Sequence, residues 1–130
     1  MGSLRLILSH TIIIADDSAL IRRLLRSTIE QNSDWEVCGE AENGKVAVEK
    51  VKELHPDVVL LDLQMPVMNG LEAARQIATC APKTEMVMFT MQNSEQLLTD
   101  AHAAGIKDVI SKSDRPQDEL LASLKDVRKR

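Results

Sequence analysis

Short apolar runs alternate with longer amphipathic ones along this chain. Thr11-Ile12-Ile13-Ile14-Ala15 is brief, β-branched and continuous, the pattern of a strand covered on both faces. From Ser18 the period changes. Ile21, Leu24, Leu25, Thr28 and Ile29 share one helical face, and Arg22, Arg23 and Arg26 take the other. Ser18 suits the N-cap, and Asn32-Ser33-Asp34 breaks the helix. Trp35 to Ala41 reads as a second strand and Asn43-Gly44 as a turn. Val48, Val51 and Leu54 mark a second helix, stopped by His55-Pro56. Asp57 to Leu61 is a third strand, followed by a loop with Met65-Pro66 and Asn69-Gly70. Leu71, Ala74, Ile77 and Ala78 form the third helical face. Glu85 to Phe89 is a fourth strand, Glu95 to Ala104 a fourth helix stopped by Gly105, and Lys107 to Ser111 a fifth strand. Pro116 opens a last helix with Leu120, Leu124 and Val127 on one face and Asp118 and Glu119 in its first turn.

Five β-α units with short, wholly apolar strands predict an α/β fold: a parallel sheet with helices on both faces and right-handed crossovers. Such sheets bind ligands beyond the carboxyl ends of their strands. The polar residues at those ends are therefore the candidates for chemistry. Asp16 and Asp17 follow the first strand, Asp62 the third, Thr90 the fourth and Lys112 the fifth. The second strand ends at Ala41-Glu42, at an edge of the sheet, and adds little.

Composition narrows the field. The 130 residues are 44% hydrophobic and 28% charged, enough apolar surface for a single core and too much for a disordered chain. A formal charge of −4 argues against nucleic-acid binding by this surface, which needs clustered Lys and Arg. Cys38 and Cys80 are too few and too isolated for a disulfide framework or a zinc site. Apolar runs fall well short of the ~18 residues of a membrane span. Ser9, His10 and Thr11 interrupt the apolar N-terminal stretch, so no signal peptide is expected. The domain should span residues 11–130, with 1–10 an N-terminal extension or cloning remnant and a cytoplasmic location. His10, His55 and His102 lie away from the strand ends and are not candidates for catalysis.

Taken alone, an Asp after a strand most often caps a helix, and a lone Thr or Lys has an equally plain explanation. Taken together, three carboxylates meeting at one rim need a proton or a cation. An all-oxygen set favours a hard divalent ion, and Mg²⁺ suits a site that later accepts a phosphoryl oxygen. Lys112 adds a point charge and Thr90 a hydroxyl donor. Such a set stabilises phosphoryl transfer to a carboxylate.

The order acidic pair, Asp before the Met-Pro and Asn-Gly loop Asp62-Leu63-Gln64-Met65-Pro66-Val67-Met68-Asn69-Gly70, then Thr and Lys, resembles the receiver domain of two-component response regulators. The resemblance covers about residues 11 to 128. It implies a flavodoxin-like, doubly wound five-stranded sheet of order 2-1-3-4-5. It also implies that Asp62 takes a phosphoryl group from a phosphohistidine on a sensor histidine kinase or phosphotransfer protein. Asp17, Asp62 and the backbone carbonyl of Gln64 would ligate Mg²⁺ directly, and Asp16 through a water. Thr90 and Lys112 would each bind a phosphoryl oxygen. The fourth helix, fifth strand and fifth helix are the implied face for a homodimer.

Three positions depart from the family pattern. Val109 stands where an aromatic residue usually couples to the Thr. Phe89, the sole Phe of a chain without Tyr, should face away from Thr90 because successive strand residues alternate. Ser113 replaces a Pro commonly joined by a cis bond. Met91, in place of a small residue, is expected to cover the phosphoryl pocket and slow water entry. The stretch Val37–Gly44 and the run Leu71–Arg75 resemble receivers that precede a DNA-binding helix-turn-helix domain, which implies transcription regulation by an output domain outside this chain. The alternative is a complete single-domain regulator acting by protein binding. An Asp-nucleophile phosphatase is the remote alternative, since Gln64 occupies the place of the general-acid Asp in those enzymes.

Overall fold

The computed structural model describes residues 10–92, 94–112 and 116–128. Five strands alternate with five helices: β1 (Thr11–Ala15), α1 (Ala19–Asn32), β2 (Glu36–Ala41), α2 (Gly44–Leu54), β3 (Val58–Leu61), α3 (Gly70–Cys80), β4 (Glu85–Thr90), α4 (Glu95–Ala103), β5 (Asp108–Ser111) and α5 (Pro116–Arg128). The strands form one parallel sheet in the order β2-β1-β3-β4-β5. This is the doubly wound, flavodoxin-like arrangement expected from the resemblance, with β2 on an edge. Elements differ from the sequence reading by a residue at their ends, as frayed boundaries do. Trp35, for instance, precedes β2 rather than opening it.

Strand alternation divides the apolar residues into two layers. Ile13, Val59, Leu61, Met86 and Met88 point one way and pack on Val48 and Val51 of α2, Ile77 of α3 and Leu97 of α4. Ile12, Ile14, Val58, Leu60, Val87, Phe89 and Ile110 point the other way, onto Leu25 and Ile29 of α1 and Leu120 and Leu124 of α5. Ile12, Ile13, Ile14, Val58, Val59 and Leu61 are completely buried. Each such side chain stabilises the fold by about 1.5–3 kcal/mol, so the sheet is a rigid platform for whatever its rim carries.

Side chains cap four of the helices. Ser18, Asn43, Asn69 and Ser94 each accept the backbone N–H three residues on, and Asn69 and Glu72 form a reciprocal capping box. Asn43-Gly44 and Asn69-Gly70, read from sequence as turn and loop, therefore open helices. His55 ends α2 with φ 48°, and Gly105 follows α4 with φ 96°, where glycine carries no Cβ penalty. Residues 1–9 and Ser113, with its proposed departure from a cis bond, lie outside the described residues.

Candidate functional site

The site is built by extending the backbone ladders one residue past the strands. The Asp62 N–H donates to the Ala15 carbonyl at 2.9 Å, and the Asp16 N–H to the Ala41 carbonyl at 3.0 Å. Asp16 and Asp62 thus leave neighbouring strands side by side. At the other end of the sheet, the Lys112 N–H donates to the Thr90 carbonyl at 2.9 Å, which brings the fourth and fifth strand ends into the same row.

The side chains meet as their strand-end positions predict. Asp16, Asp17 and Asp62 each offer a carboxylate oxygen, all within 4.8 Å of one another. Asp16 and Asp62 are buried and Asp17 is exposed. Lys112 reaches across 96 positions of sequence, its Nζ 2.9 Å from Asp16 Oδ2 and 3.3 Å from Asp62 Oδ1. Burial pushes the Asp62 carboxyl above its ordinary range, and the neighbouring Asp16 charge adds to this; the Lys112 ammonium offsets only part. Burial works against the charged form of Lys112, but the hydrogen bond to Asp16 and the Asp62 charge outweigh it and hold its pKa up. Among the described residues, one ammonium against three carboxylates leaves the pocket short of positive charge, and the donor set is entirely oxygen. Both facts fit a hard divalent cation such as Mg²⁺.

Thr90 is buried at the end of β4, and its Oγ1 accepts the Gln92 N–H at 3.2 Å. Its hydroxyl proton is thereby left for another acceptor. Gln64 is exposed and lines an open depression beside the carboxylates with Asp17, Leu63, Met65, Pro66 and Asn69. The loop carrying it is clamped at both ends. Gly44 N–H donates to the Met68 carbonyl at 2.9 Å, and Gly70 N–H to the Leu63 carbonyl at 2.8 Å. A Cβ at Gly70 would lie 2.2 Å from the Asp62 carbonyl oxygen, so only glycine lets α3 begin this close to the acidic strand end.

A family model for the response regulator receiver domain matches residues 12–125. The chain belongs to this family. Among relatives, it is 39% identical over 105 residues to the chemotaxis protein CheY of Thermotoga maritima, covering 81% of this chain and 87% of that one. It is 41% identical over 103 residues to the transcriptional regulatory protein YdfI of Bacillus subtilis, covering 79% of this chain but only 48% of that protein. The crystal structure of the response regulator domain of Thermotoga maritima CheB superposes with a TM-score of 0.88 at 31% identity, covering 94% of this chain and 98% of that one.

Several residues of this receiver touch the site without a signal at the strand ends. Arg22 of α1 donates from Nη1 to the Asp16 carbonyl at 2.6 Å and from Nε to Glu40 at 2.9 Å. Arg26 binds the other Glu40 oxygen at 2.9 Å, and Lys50 donates to the Glu40 carbonyl. Glu40, on the strand whose end adds little, thus anchors a strut that ends on the backbone of an acidic residue. Val109, where the family usually has an aromatic ring, pairs with Met88 and packs against the α2–α4 layer. Met91 is 66% exposed and lines a groove of about 250 Å³ on the α1 side with Leu24, Phe89, Lys112 and Pro116.

Proposed function

We propose that Asp62 is the phosphoacceptor of a signalling switch, taking a phosphoryl group from a phosphohistidine on a histidine kinase or phosphotransfer protein. The observation that carries this reading is the meeting of Asp16, Asp17 and Asp62 within 4.8 Å, with the Lys112 ammonium on two of them. An Asp62 carboxylate oxygen attacks phosphorus, the P–N bond to the donor imidazole breaks, and its electron pair stays on that nitrogen. The product is an acyl phosphate on Asp62. Asp17, Asp62 and the Gln64 backbone carbonyl would hold Mg²⁺ directly, and Asp16 through a water. When bound, the ion neutralises charge on the transferring group. Lys112 pairs with one phosphoryl oxygen and Thr90 donates its hydroxyl to another. The protein modifies itself and slowly loses the group; it is a switch rather than a turnover enzyme.

The phosphoryl group brings additional negative charge and acceptor oxygens to the rim. Drawing Thr90 and Lys112 toward it shifts α4 and β5 between two pre-existing arrangements. A shift from mostly off to mostly on needs about 5.5 kcal/mol of differential interaction. Val109 has no ring to relocate, so the structural change in this chain is modest. The face formed by α4, β5 and α5 is the proposed homodimer contact. The output is a DNA-binding domain outside this chain, a reading supported by the match to half of a transcriptional regulator. A second reading, a single-domain regulator acting by protein binding, is favoured by the 87% coverage of CheY. A native reading frame that continues beyond Arg130 into a helix-turn-helix decides for the first. Among the described residues no helix is long and apolar enough to cross a membrane.

Intact-mass spectrometry after incubation with Mg²⁺ and a small acyl phosphate tests the chemistry. One base-labile phosphoryl adduct is expected, absent in Asp62→Asn and absent with chelator. An adduct that persists in Asp62→Asn overturns the assignment.

A further inference from the structure

Phe89 is the only phenylalanine in a chain with no tyrosine. Its neighbour Thr90 belongs to the rim, while Phe89 is buried in the α1–α5 layer among Ile14, Leu25, Ile110 and Leu120. The expectation that it faces away from Thr90 is met. Yet the Lys112 Nζ lies over its ring, 5.5 Å from the centroid. Lys112 stands two residues past Ile110, which packs in the same layer as Phe89, so its stem leaves the backbone on the face where Phe89 sits. The lysine side chain is only 14% exposed, and the groove it lines with Phe89 is walled by Ile21, Leu24, Met91 and Pro116. An ammonium over an aromatic face is attracted by the ring quadrupole, more strongly where water is excluded.

We propose that Phe89 is a positioning residue that holds the Lys112 ammonium at the rim of the carboxylate pocket. The functional half of this proposal rests on the phosphoacceptor reading above. Asp16 and Asp62 hold Lys112 by charge, but they are also two of the three carboxylates that fit a divalent cation. Oxygens that turn to a dication offer less to an ammonium, and the two cations repel. The ring is neutral, lies outside the acidic cluster and does not compete for the metal. It keeps the ammonium within reach of an incoming phosphoryl oxygen when the carboxylates are engaged.

The single Phe makes the test clean, because biosynthetic incorporation of ring-fluorinated phenylalanines labels position 89 alone. Fluorination drains negative charge from the ring face at nearly constant volume. With Mg²⁺ and a small acyl phosphate, the initial rate of Asp62 phosphorylation should fall stepwise with fluorine number, reaching about a two- to fivefold loss. Melting temperature and Mg²⁺ affinity should stay near wild type. In metal-free protein, the Lys112 ε-methylene protons should be ring-current shielded and should lose that shielding in Phe89→Leu. Rates independent of fluorine number overturn the positioning role, and ε-methylene shifts unmoved in Phe89→Leu overturn the contact. Should Phe89→Leu fail to fold, the fluorinated series still decides. A wild-type protein that takes no phosphoryl group overturns the phosphoacceptor reading and the positioning role with it, and the Lys112 shifts then decide the ring–ammonium contact alone.

Discussion

Adding one methyl group at Gly44 tests how tightly the loop that follows Asp62 is clamped. In Gly44→Ala the new Cβ would lie 2.2 Å from the Met68 carbonyl oxygen, 2.8 Å from its carbon and 3.0 Å from the Met68 Cβ. The nearest two of these are backbone atoms, which cannot swing away as a side-chain tip can. Restoring an ordinary contact requires the start of α2 and the loop to part by roughly 1 Å, which also lengthens the 2.9 Å bond from Gly44 N–H to Met68. Overpacking of this kind costs about 1–3 kcal/mol, and the weakened hydrogen bond about 1 kcal/mol. Alanine in place of glycine in a helix returns about 0.5–1 kcal/mol. The net loss is about 1–3 kcal/mol, which for a domain of this size lowers Tm by about 4–12 °C. Gly39→Ala is the control. Its Cβ would meet Leu54 Cδ1 at 3.1 Å, Ile13 Cγ1 at 3.6 Å and Lys50 Cδ at 3.7 Å, all side-chain atoms, so it should cost under about 1 kcal/mol. Thermal unfolding followed by far-UV circular dichroism in chelator reads both. Mg²⁺ titration of Gly44→Ala should also show weaker binding, because the displaced loop carries Gln64. A Gly44→Ala protein that melts with wild type, or above Gly39→Ala, refutes the clamp.

Other predictions follow from the charges and the backbone. Lys112→Met leaves Asp16 and Asp62 without their ammonium, a loss of about 3–5 kcal/mol for a buried pair broken on one side; Mg²⁺ should recover more stability than it adds to wild type, and equal gains in urea unfolding contradict the pairing. Burial tends to raise the Glu40 pKa, but hydrogen bonds and charge from Arg26 and Arg22 hold it below its ordinary 4.5. Its stabilisation is therefore complete above that pH and lost as the pH falls through the lowered folded value. Glu40→Gln should be less stable than wild type at neutral pH by on the order of 1 kcal/mol, read as a lower urea midpoint, and the gap should close in acid; a gap independent of pH speaks against the strut. Val67 is β-branched, 77% exposed and held at φ 70°, so Val67→Asn should stabilise by about 1 kcal/mol, read as a higher urea midpoint. A lower midpoint would mean that Val67 makes a contact worth more than its strain.

Asp16, Asp17, Asp62, Thr90 and Lys112 were legible because chain order and sheet topology alone fix where strand ends lie. Residues of different strands meet at that rim whatever the side-chain detail. The caps at Asn43 and Asn69 were hidden because Asn-Gly reads equally as a turn. What separates the two is the approach of Met68 and Asp62 carbonyls to Gly44 and Gly70, which comes from elements distant in the chain. Arg22 lay on the polar face of an amphipathic helix, where arginines are ordinarily solvated; its contact with the Asp16 carbonyl depends on how α1 crosses the sheet. The face taken by Phe89 was legible from its alternation with Thr90, but its contact with Lys112 depends on where a flexible four-carbon stem places its ammonium. Met91 follows the strand, where alternation no longer dictates direction, and it lines the groove beside α1 together with Lys112.

The bond between Lys112 and Asp16 joins residues 96 positions apart. A chain that stops before β5 carries all three acids, yet it lacks the ammonium that balances part of their charge. The pocket is thus left incomplete until synthesis has passed β5. If Asp62 is the phosphoacceptor, half-made copies, or fragments clipped before that strand, should take no phosphoryl group.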